Sequence, residues 1–207
     1  MASRNSHGVD KRRLILDAAV RVFARRGFHH CRVSDVADEA GVAYGLVYHY
    51  FRSKEEILNT LFLERWQIML DAIAEIDARQ GVPARDKLYA VASFIIDSYR
   101  HDPDLMKVII VEVTRAANSF GALHLEKIRE AYEGIARIID DGSLKSDIPS
   151  EFAALFFYGA IEQLLTGWIF GVLPRTNEEF ERAKELVVDA LYGGLATARA
   201  GSAAVSG

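Results

Sequence analysis

The residues best suited to bind a polar partner are clustered over a few positions, namely Tyr44, Gly45, Tyr48 and His49. A helix over 44–50 would show all four on the side opposite its apolar residues. Phenol and imidazole groups can hydrogen-bond phosphate, aromatic rings can rest on a thymine methyl group, and glycine lets a partner approach the backbone. The pattern is typical of a surface that reads DNA. A packing hairpin, whose aromatic rings are buried elsewhere, is the alternative at this point.

The N-terminal quarter of the chain is its basic part. Residues 1–54 contain ten Lys and Arg against five Asp and Glu, a net charge of +5. The remaining residues carry −9, which brings the whole chain to −4. A basic head on an acidic body indicates that only the head meets a polyanion, although chance clustering of charge gives the same balance. Arg21 and Arg25, four residues apart on a predicted helix, are expected to be free for phosphate.

Two short helices are predicted to position the DNA-facing residues. Apolar residues recur at helical spacing over 33–40, namely Val33, Val36, Ala37 and Ala40. Gly41 is expected to end this helix in a left-handed conformation, and a second helix follows over 44–50. Two helices joined by such a turn form a helix-turn-helix unit, whose second helix lies in the DNA major groove.

The rest of the chain also predicts helices and no sheet. No alternating strand pattern appears, all four prolines fall between apolar segments, and Ser53 and Thr176 each precede a capping signature. The fold class is therefore all-α, with nine helices near 10–26, 33–40, 44–50, 54–79, 84–101, 103–116, 119–141, 149–172 and 177–199. We expect a helix-turn-helix domain at 9–55, a ligand-binding and dimerisation domain at 56–199, and a disordered tail at 200–207.

The eighth and ninth helices predict an interface between two copies of the chain. The segment 152–172 is apolar on nearly all sides, so one monomer is not expected to cover it. Glu162 interrupts the segment and leaves charge-free runs too short for a membrane span. A homodimer through a four-helix bundle would bury both helices. The predicted interface residues are Phe156, Leu164, Phe180, Val187, Leu191 and Gly194.

The interior of the larger domain predicts a pocket for a small hydrophobic effector. Aromatic residues are frequent on helices four to eight, and Glu112 and Glu162 interrupt apolar runs. A carboxylate in such a place needs a partner, such as Arg115 or a ligand group. Ordinary core packing explains the same apolar residues. The predicted pocket residues are Phe62, Trp66, Phe94, Tyr99, Ile109, Glu112, Val113, Arg115, Tyr132, Phe157 and Trp168.

Catalysis, a metal site and a cofactor are not predicted. The sequence contains no HExxH, no phosphate-binding G-x-x-x-x-G-K and no Gly-x-Ser-x-Gly motif. His29, His30 and Cys31 form a metal-like cluster, but three adjacent residues cannot easily all face one ion, and packing of this loop on the first helix is the preferred interpretation. The single cysteine and the lack of a signal-peptide pattern predict a cytoplasmic protein.

Three segments resemble the DNA-binding domain of the TetR family of regulators, namely Phe23–Phe28, Val36–Val42 and Gly45–Leu58. The resemblance implies a three-helix head on a helical, dimeric body, and repression that a ligand relieves. It places seven residues at the DNA surface, namely Arg32, Ser34, Ala43, Tyr44, Tyr48, His49 and Lys54. Cys31 and Ala43 stand where the family usually has Thr and a small polar residue. Each change removes a helix N-cap hydroxyl, worth about 1 kcal/mol.

A shorter resemblance concerns the effector. Residues 158–168 and 111–113 are similar to the branch of this family that regulates fatty-acid degradation, whose members release DNA on binding long-chain acyl-coenzyme A. It implies an acyl-coenzyme A effector whose phosphates meet Arg115, Lys127 or Arg129. The alternatives are a regulator of an efflux or catabolic operon that senses another hydrophobic ligand, a helical interaction module that binds no DNA, and an activator in place of a repressor.

Overall fold

The computed structural model describes residues 3–112, 122–140 and 148–202, with the side chains of 11–111, 124–140 and 148–193. The regular structure of these residues is helical throughout, so the predicted all-α fold class is confirmed. They form nine α-helices, which are α1 (Ser3–Arg26), α2 (Val33–Ala40), α3 (Tyr44–Tyr50), α4 (Lys54–Asp77), α5 (Ala84–His101), α6 (Pro103–Lys107), α7 (Ala122–Ile139), α8 (Ser150–Ile169) and α9 (Asn177–Ser202). A 3-10 turn, Phe28–His30, joins α1 to α2, and a π-helical turn, Val108–Glu112, follows α6.

The predicted bounds of α2, α3 and α5 agree with the structure at both ends. α1 begins at Ser3, earlier than expected, and α9 continues to Ser202, so residues 200–202 are helical and not part of a disordered tail. Residues 203–207 lie outside the described part of the chain. α6 ends at Lys107, earlier than predicted. The next four residues are all β-branched and belong to the π-helical turn Val108–Glu112. Residues 113–116 of that predicted helix lie outside the description.

Side-chain caps start two helices where the capping signatures predicted them. The Glu56 amide donates to Ser53 Oγ at 3.2 Å, and the Glu179 amide donates to Thr176 Oγ1 at 3.2 Å. The Glu56 carboxylate accepts from the amide of Arg52 at 2.6 Å, one residue before the cap residue itself. The start of α4 is therefore capped from both directions, which stabilises its junction with α3.

The chain divides into two compact units. Of the described residues, the first unit contains 3–65 and 102–112, and the second contains 66–101, 122–140 and 148–202. The first unit thus extends beyond the predicted boundary at residue 55 and includes the first half of α4 and the α6 segment. Lys107 Nζ donates to the carbonyl oxygen of Ala24 at 2.8 Å, which ties α6 to the last turn of α1.

The first unit is built around α1. The residues that α1 buries follow one-and-four spacing and include Ile15, Ala18, Ala19, Val22 and Phe23. α2 packs on this helix and buries Val36, Ala37 and Ala40. The small alanines allow a close approach of the two backbones. α1 therefore holds α2 in place, and α2 in turn positions α3.

The core of the second unit contains a cluster of three aromatic rings. Tyr99 stacks on Trp168 with ring centroids 5.8 Å apart, and Phe180 packs edge-on against Trp168 at 4.7 Å. The Trp168 indole donates to the carbonyl oxygen of Pro174 at 3.1 Å. Tyr99 and Trp168, predicted for the effector pocket, and Phe180, predicted for the dimer interface, are instead packed against one another in the core.

The apolar residues of α8 and α9 are divided between core and surface. Val187 and Leu191, predicted for the interface, are each 5% exposed because they face the core of the second unit. Phe156 is 60% exposed, and Leu164 is half-buried. Gly194 lies beyond the side chains described. The apolar residues that α8 and α9 leave exposed include Phe152, Leu155, Phe156, Ala160, Leu186 and Ala190.

α8 is a described helix that is long and apolar enough, by length and composition alone, to cross a membrane, with a mean hydropathy of 1.3. It buries Phe157, Ile161 and Leu165 within the second unit and carries the half-buried Glu162 at its centre. Within the described residues, 33% of this apolar stretch is buried.

Candidate DNA-binding surface and effector site

A left-handed glycine sets the angle between α2 and α3. Gly41 has φ 65° and ψ 34°, a conformation that glycine adopts without a Cβ penalty. The Val42 amide donates to the carbonyl oxygen of Ala37 at 3.0 Å and closes the end of α2. Val47 of α3 is completely buried. The opposite face of α3 consequently points outward, as the helix-turn-helix prediction requires.

Four predicted DNA-facing residues share this outward face of α3, namely Tyr44, Gly45, Tyr48 and His49. Tyr44 is 52% exposed and Tyr48 is 44% exposed. The Tyr44 hydroxyl donates to the Tyr48 hydroxyl oxygen at 3.0 Å, and the two rings meet edge-to-face with centroids 4.9 Å apart. The aromatic rings are therefore on the surface, and the packing-hairpin alternative does not describe them.

Gly45 has no structural reason to be glycine within the first unit. Its backbone is helical, and a Cβ added there would meet nothing within 4 Å. Glycine inside a helix costs about 0.5–1 kcal/mol relative to alanine. The residue thus makes α3 less stable while leaving its surface open to the approach of a partner.

The start of α2 is capped by a carboxylate. The Asp35 carboxylate accepts from the amide of Arg32 at 2.7 Å. This hydrogen bond, aided by the neighbouring Arg26 guanidinium, lowers the pKa of Asp35. Cys31 is buried, and its thiol donates to the carbonyl oxygen of Phe28 at 3.2 Å. The N-cap residue of α2 is Arg32, so Cys31 lies one residue before the cap and the predicted loss of a cap hydroxyl at position 31 is wrong.

The other predicted DNA-surface residues differ in exposure. Arg32 and Ala43 are exposed, and Ser34 is half-buried. Ala43 precedes α3 without a side-chain cap, as its missing hydroxyl predicts. His29 and His30 are exposed, while Phe28 between them and α1 packs on Phe23 with ring centroids 5.3 Å apart. The loop therefore packs on α1 through Phe28, and no group of three or more metal-ligating side chains occurs among the described residues.

Lys54 is engaged inside the first unit. Its ammonium group donates to the carbonyl oxygens of Phe28 at 2.8 Å and Cys31 at 3.2 Å, and it lies 4.6 Å from the centre of the Phe28 ring. The resemblance places this lysine at the DNA surface. In this structure its charge holds the turn between α1 and α2 to the start of α4.

Arg21 and Arg25 are not free, contrary to expectation. Arg21 Nε donates to Glu39 Oε1 at 2.7 Å, and Arg25 donates to the other carboxylate oxygen of Glu39. The hydrogen bonds from Arg21 and then from Arg25 lower the pKa of Glu39. Helical spacing showed that the two arginines share a face of α1. It did not show that α2 places a carboxylate between them.

A second group of residues in the second unit has the character of a ligand site. The Tyr158 ring lies 6.1 Å from Trp66 and 5.5 Å from Tyr132, measured between ring centroids. Burial raises the pKa of Glu162, and burial followed by the charge of Glu162 raises the pKa of Tyr132. A half-buried carboxylate thus acts on Tyr132, which belongs to a group of three aromatic rings. Trp66 and Tyr132 were predicted here, whereas Tyr158 was missed although it lies one helical turn before Glu162.

An open groove of about 640 Å³ lies along α7 and α8 beside this aromatic group. Tyr132 belongs both to the group and to the groove lining. The groove lining also includes apolar residues such as Leu125 and Leu155, together with two guanidinium groups and three carboxylates. The charged residues are Arg129, Arg137, Glu133, Asp140 and Glu151. Such a surface can accept a ligand that carries both a polar and an apolar part.

The remaining predicted pocket residues are not brought to one place. Phe62, Phe157 and Ile109 are buried, and Phe62 and Ile109 belong to the first unit. Phe94 is half-buried on α5. The side chain of Glu112 lies beyond those described, and Val113 and Arg115 lie outside the described residues altogether.

Comparison with known proteins bears on both sites. Residues 15–61 match the family described as "Bacterial regulatory proteins, tetR family". The chain is 34% identical over 164 residues to the Fatty acid metabolism regulator protein of Bacillus subtilis, an alignment that covers 75% of this chain and 81% of that protein. It is 28% identical over 151 residues to the transcriptional repressor KstR2 of Rhodococcus jostii, covering 70% and 74% respectively.

Solved structures have the same fold. The fatty acid degradation regulator FadR of Bacillus halodurans matches with a TM-score of 0.79 at 24% identity, covering 89% of this chain and 96% of that one. FadR of Bacillus subtilis, solved in complex with stearoyl-CoA, matches with a TM-score of 0.70 at 28% identity, covering 87% and 97%.

Proposed function

Because this chain belongs to the tetR family of bacterial regulatory proteins, we propose that it represses transcription as a homodimer on a pseudo-palindromic operator and is released by long-chain acyl-coenzyme A. It is a transcriptional regulator, which is not an enzymatic function. The proposal has three parts, which are the operator geometry, the dimer and the effector. We also propose a cytoplasmic location, because the partner is DNA.

The outward face of α3 carries the DNA-binding part of the proposal. It combines two exposed tyrosines and His49 with Gly45, whose missing side chain benefits neither the fold nor the helix. The second helix of a helix-turn-helix unit lies in the major groove, where it reads base edges and contacts phosphates. Tyr44, Tyr48 and His49 are therefore expected to contact the operator, and Gly45 to permit close approach of α3.

The exposed apolar face of α8 and α9 supports the homodimer. Phe152 and Phe156 project from α8, with Leu186 on the neighbouring α9. Gly159 lies on the same side of α8, and a Cβ there would meet nothing within 4 Å. A second copy that presents the same face would cover these side chains in a four-helix bundle. Two copies would also carry two α3 helices, which suits an operator with two half-sites.

The group formed by Trp66, Tyr132, Tyr158 and Glu162 supports an effector site in the second unit. Aromatic rings provide the apolar wall that an acyl chain requires. Arg129, which shares the adjoining groove with Arg137 and three carboxylates, is the cation that we assign to phosphate. The stearoyl-CoA complex of the 28% identical FadR favours this class of ligand over other hydrophobic compounds.

We infer that the effector acts by shifting the balance between two states of the dimer. α4 is one continuous helix that contributes residues to both units, so it can transmit a change at Trp66 toward Lys54. The ligand can shift the balance only by the difference between its affinities for the two states.

Fluorescence anisotropy with the DNA upstream of its own gene tests the proposal. Tight binding that oleoyl-coenzyme A releases, while free oleate and free coenzyme A do not, would support both the repressor and the effector. Tight binding that oleoyl-coenzyme A leaves unchanged would discard this effector and favour another hydrophobic ligand. If that DNA is not bound, selection of bound fragments from the genome comes next, and failure to enrich any fragment would overturn DNA binding.

A further inference from the structure

We propose that the groove along α7 and α8 is incomplete in one chain and that a second copy of the chain closes it, so that the effector binds the dimer and not the monomer. The inference rests on the proposed homodimer and effector. It adds a role for the partner, which supplies a wall of the ligand site and thereby links effector binding to dimerisation.

Leu155 belongs to two surfaces of the second unit. It lines the groove, and it is also one of the exposed apolar residues of α8. Phe152 and Phe156 follow Glu151 and Leu155 directly, which places them about 100° further around the helix, and neither phenylalanine lines the groove. The edge of the groove is therefore also the edge of the exposed apolar face of α8 and α9.

In one chain this edge is open to solvent. Leu155 is 46% exposed on the α8 wall of the groove, and Leu125 is 64% exposed on the α7 wall. Small-molecule sites bury about 70–90% of the ligand surface, which an open groove does not do. A second copy that covers Phe152 and Phe156 has to pass beside Leu155, because these side chains are neighbours on α8. The partner therefore closes the groove from the side of α8.

The α8 wall leads from this edge to the aromatic group. Leu155, Tyr158 and Glu162 recur at helical spacing, so they form one stripe along α8. The Tyr158 ring packs against Tyr132, which also lines the groove. An elongated ligand can therefore lie with its apolar end among the aromatic rings and its other end at Leu155, where the partner covers it.

Thermodynamic linkage makes the inference measurable. A ligand that binds the dimer and not the monomer stabilises the dimer by mass action. The coupling is reciprocal, so the factor by which dimerisation strengthens ligand binding equals the factor by which each bound ligand strengthens dimerisation. The effector therefore releases the operator from a dimer that stays intact, and not by separating its subunits.

The test compares binding of oleoyl-coenzyme A by the full-length wild type and by two variants of the exposed apolar face, Phe156→Glu and Leu186→Lys. Neither residue lines the groove and both are exposed, so each variant keeps its fold and its groove lining. The introduced charges are opposite in sign, which separates loss of the dimer from repulsion of an anionic ligand. Ile68→Glu, at an exposed apolar residue of α4 outside both surfaces, is the matched control.

Circular dichroism checks the fold, analytical ultracentrifugation gives the mass, and calorimetric titration gives the affinity. We expect both variants to be monomers that bind oleoyl-coenzyme A about tenfold more weakly or worse, while Ile68→Glu matches the wild type. In the wild type, saturating oleoyl-coenzyme A should lower the dissociation constant of the dimer by about tenfold or more, measured by dilution of labelled protein.

A monomeric variant that binds oleoyl-coenzyme A like the wild type would overturn the inference, because its groove would then be complete in one chain. Loss of binding in only one of the two monomers would assign the effect to the introduced charge and would also contradict it, as would a dimer whose dissociation constant ignores the ligand. A wild type that is itself a monomer, or variants that stay dimeric, would instead overturn the proposed dimer. A wild type that binds no oleoyl-coenzyme A would overturn the proposed effector, and this inference with it.

Discussion

Lys54 Nζ lies 2.8 Å from the carbonyl oxygen of Phe28, twenty-six residues earlier in the chain. The same ammonium group reaches the carbonyl oxygen of Cys31. One cation therefore serves two carbonyls of the turn that leads into α2, and it does so from the start of α4. A lysine expected at the DNA surface thus has a second role, which is to hold the helix-turn-helix unit together.

We predict that Lys54→Met lowers the free energy of unfolding by about 1.5–3 kcal/mol, the range for hydrogen bonds to a charged group. Urea denaturation followed by circular dichroism measures the change. The salt dependence of operator binding separates this role from phosphate contact. Each lysine that neutralises a phosphate contributes about 0.9 to the slope of log K against log salt. A reduced slope with unchanged stability would show that Lys54 acts on phosphate instead.

Gly45→Ala is predicted to separate stability from DNA binding. Stability should rise by about 0.5–1 kcal/mol because the new methyl group meets no neighbour and alanine favours the helix. Operator affinity should fall by about tenfold or more, equivalent to ~1.4 kcal/mol, because the methyl group occupies the space that DNA needs. Thermal denaturation and anisotropy measure the two effects.

Gly134→Ala in α7 provides the contrast for that experiment. A Cβ at Gly134 would lie 2.7 Å from Ile73 Cγ2, so this variant should lose stability. If Gly45→Ala also lost stability, or bound the operator as the wild type does, the assignment of Gly45 to the DNA surface would be wrong.

Glu39→Gln is predicted to weaken the first unit in a pH-dependent manner. Arg21 and Arg25 lower the pKa of Glu39 in the folded state, so the charged carboxylate stabilises the fold above the ordinary glutamate pKa of about 4.3. That contribution is lost as the pH falls through the lowered pKa. The variant should therefore melt at a lower temperature at pH 7, and the difference from the wild type should shrink below about pH 4.

Asp38→Asn is the matched control for Glu39, since Asp38 is the preceding carboxylate on α2 and is exposed. Melting curves of both variants between pH 3 and pH 7 make the comparison. An Asp38→Asn variant with the same pH dependence would assign the effect to the overall charge of α2 and not to the two arginines.

Phe156→Glu is predicted to convert the dimer into a folded monomer. Phe156 is exposed in the monomer, so the substitution leaves its core intact, whereas an uncompensated charge would be buried between two copies. Analytical ultracentrifugation measures the mass in solution. Leu125→Glu, a change at an exposed apolar residue of α7, should leave the dimer unchanged. A dimer that survives Phe156→Glu would place the interface on another face.

Glu162→Gln is predicted to stabilise the protein at neutral pH. Burial raises the pKa of Glu162, so the folded state holds its proton more tightly than the unfolded state. Ionising the buried Glu162 carboxyl lowers the stability of the fold. This loss of stability is absent below the pKa of Glu162 in the unfolded state, and it grows as the pH rises through the pKa of Glu162 in the folded state. The melting temperature of the variant should exceed that of the wild type at pH 7.5, and the gain should shrink toward pH 4.

Glu133→Gln, next to Tyr132 but exposed, is the control for Glu162. It should leave the melting temperature within about 1 °C of the wild type, as is usual for surface changes. A gain at Glu162→Gln that persists at pH 4 would show that packing, and not the buried charge, causes it.

Helical spacing predicted the elements that position the DNA-facing residues, and in some cases their ends. The bounds of α2 and α3 follow from one apolar face each and from Gly41 between them, which are local properties of the sequence. The same spacing could not predict the π-helical turn Val108–Glu112, because a run of β-branched residues is compatible with several helical geometries.

Helical periodicity could not predict contacts between residues on different helices. Phe180, Val187 and Leu191 share a face of α9, as spacing indicates, but only the packed structure shows that this face meets the core and not a second copy. Arg21 and Lys54 are similar cases, since their partners Glu39 and Phe28 lie on other elements. Sequence patterns identify which residues lie side by side on one helix, and contacts between helices decide what those residues do.

Cys31 is a natural probe of local opening in this regulator. It is the only thiol among the 207 residues, it is 3% exposed, and its sulfur is engaged with the carbonyl oxygen of Phe28. A thiol reagent can therefore react with it only during moments when the first unit opens, and the labelling rate reports how often that happens. The rate of thiol labelling in the wild-type chain thus measures local opening of the first unit, without an engineered probe.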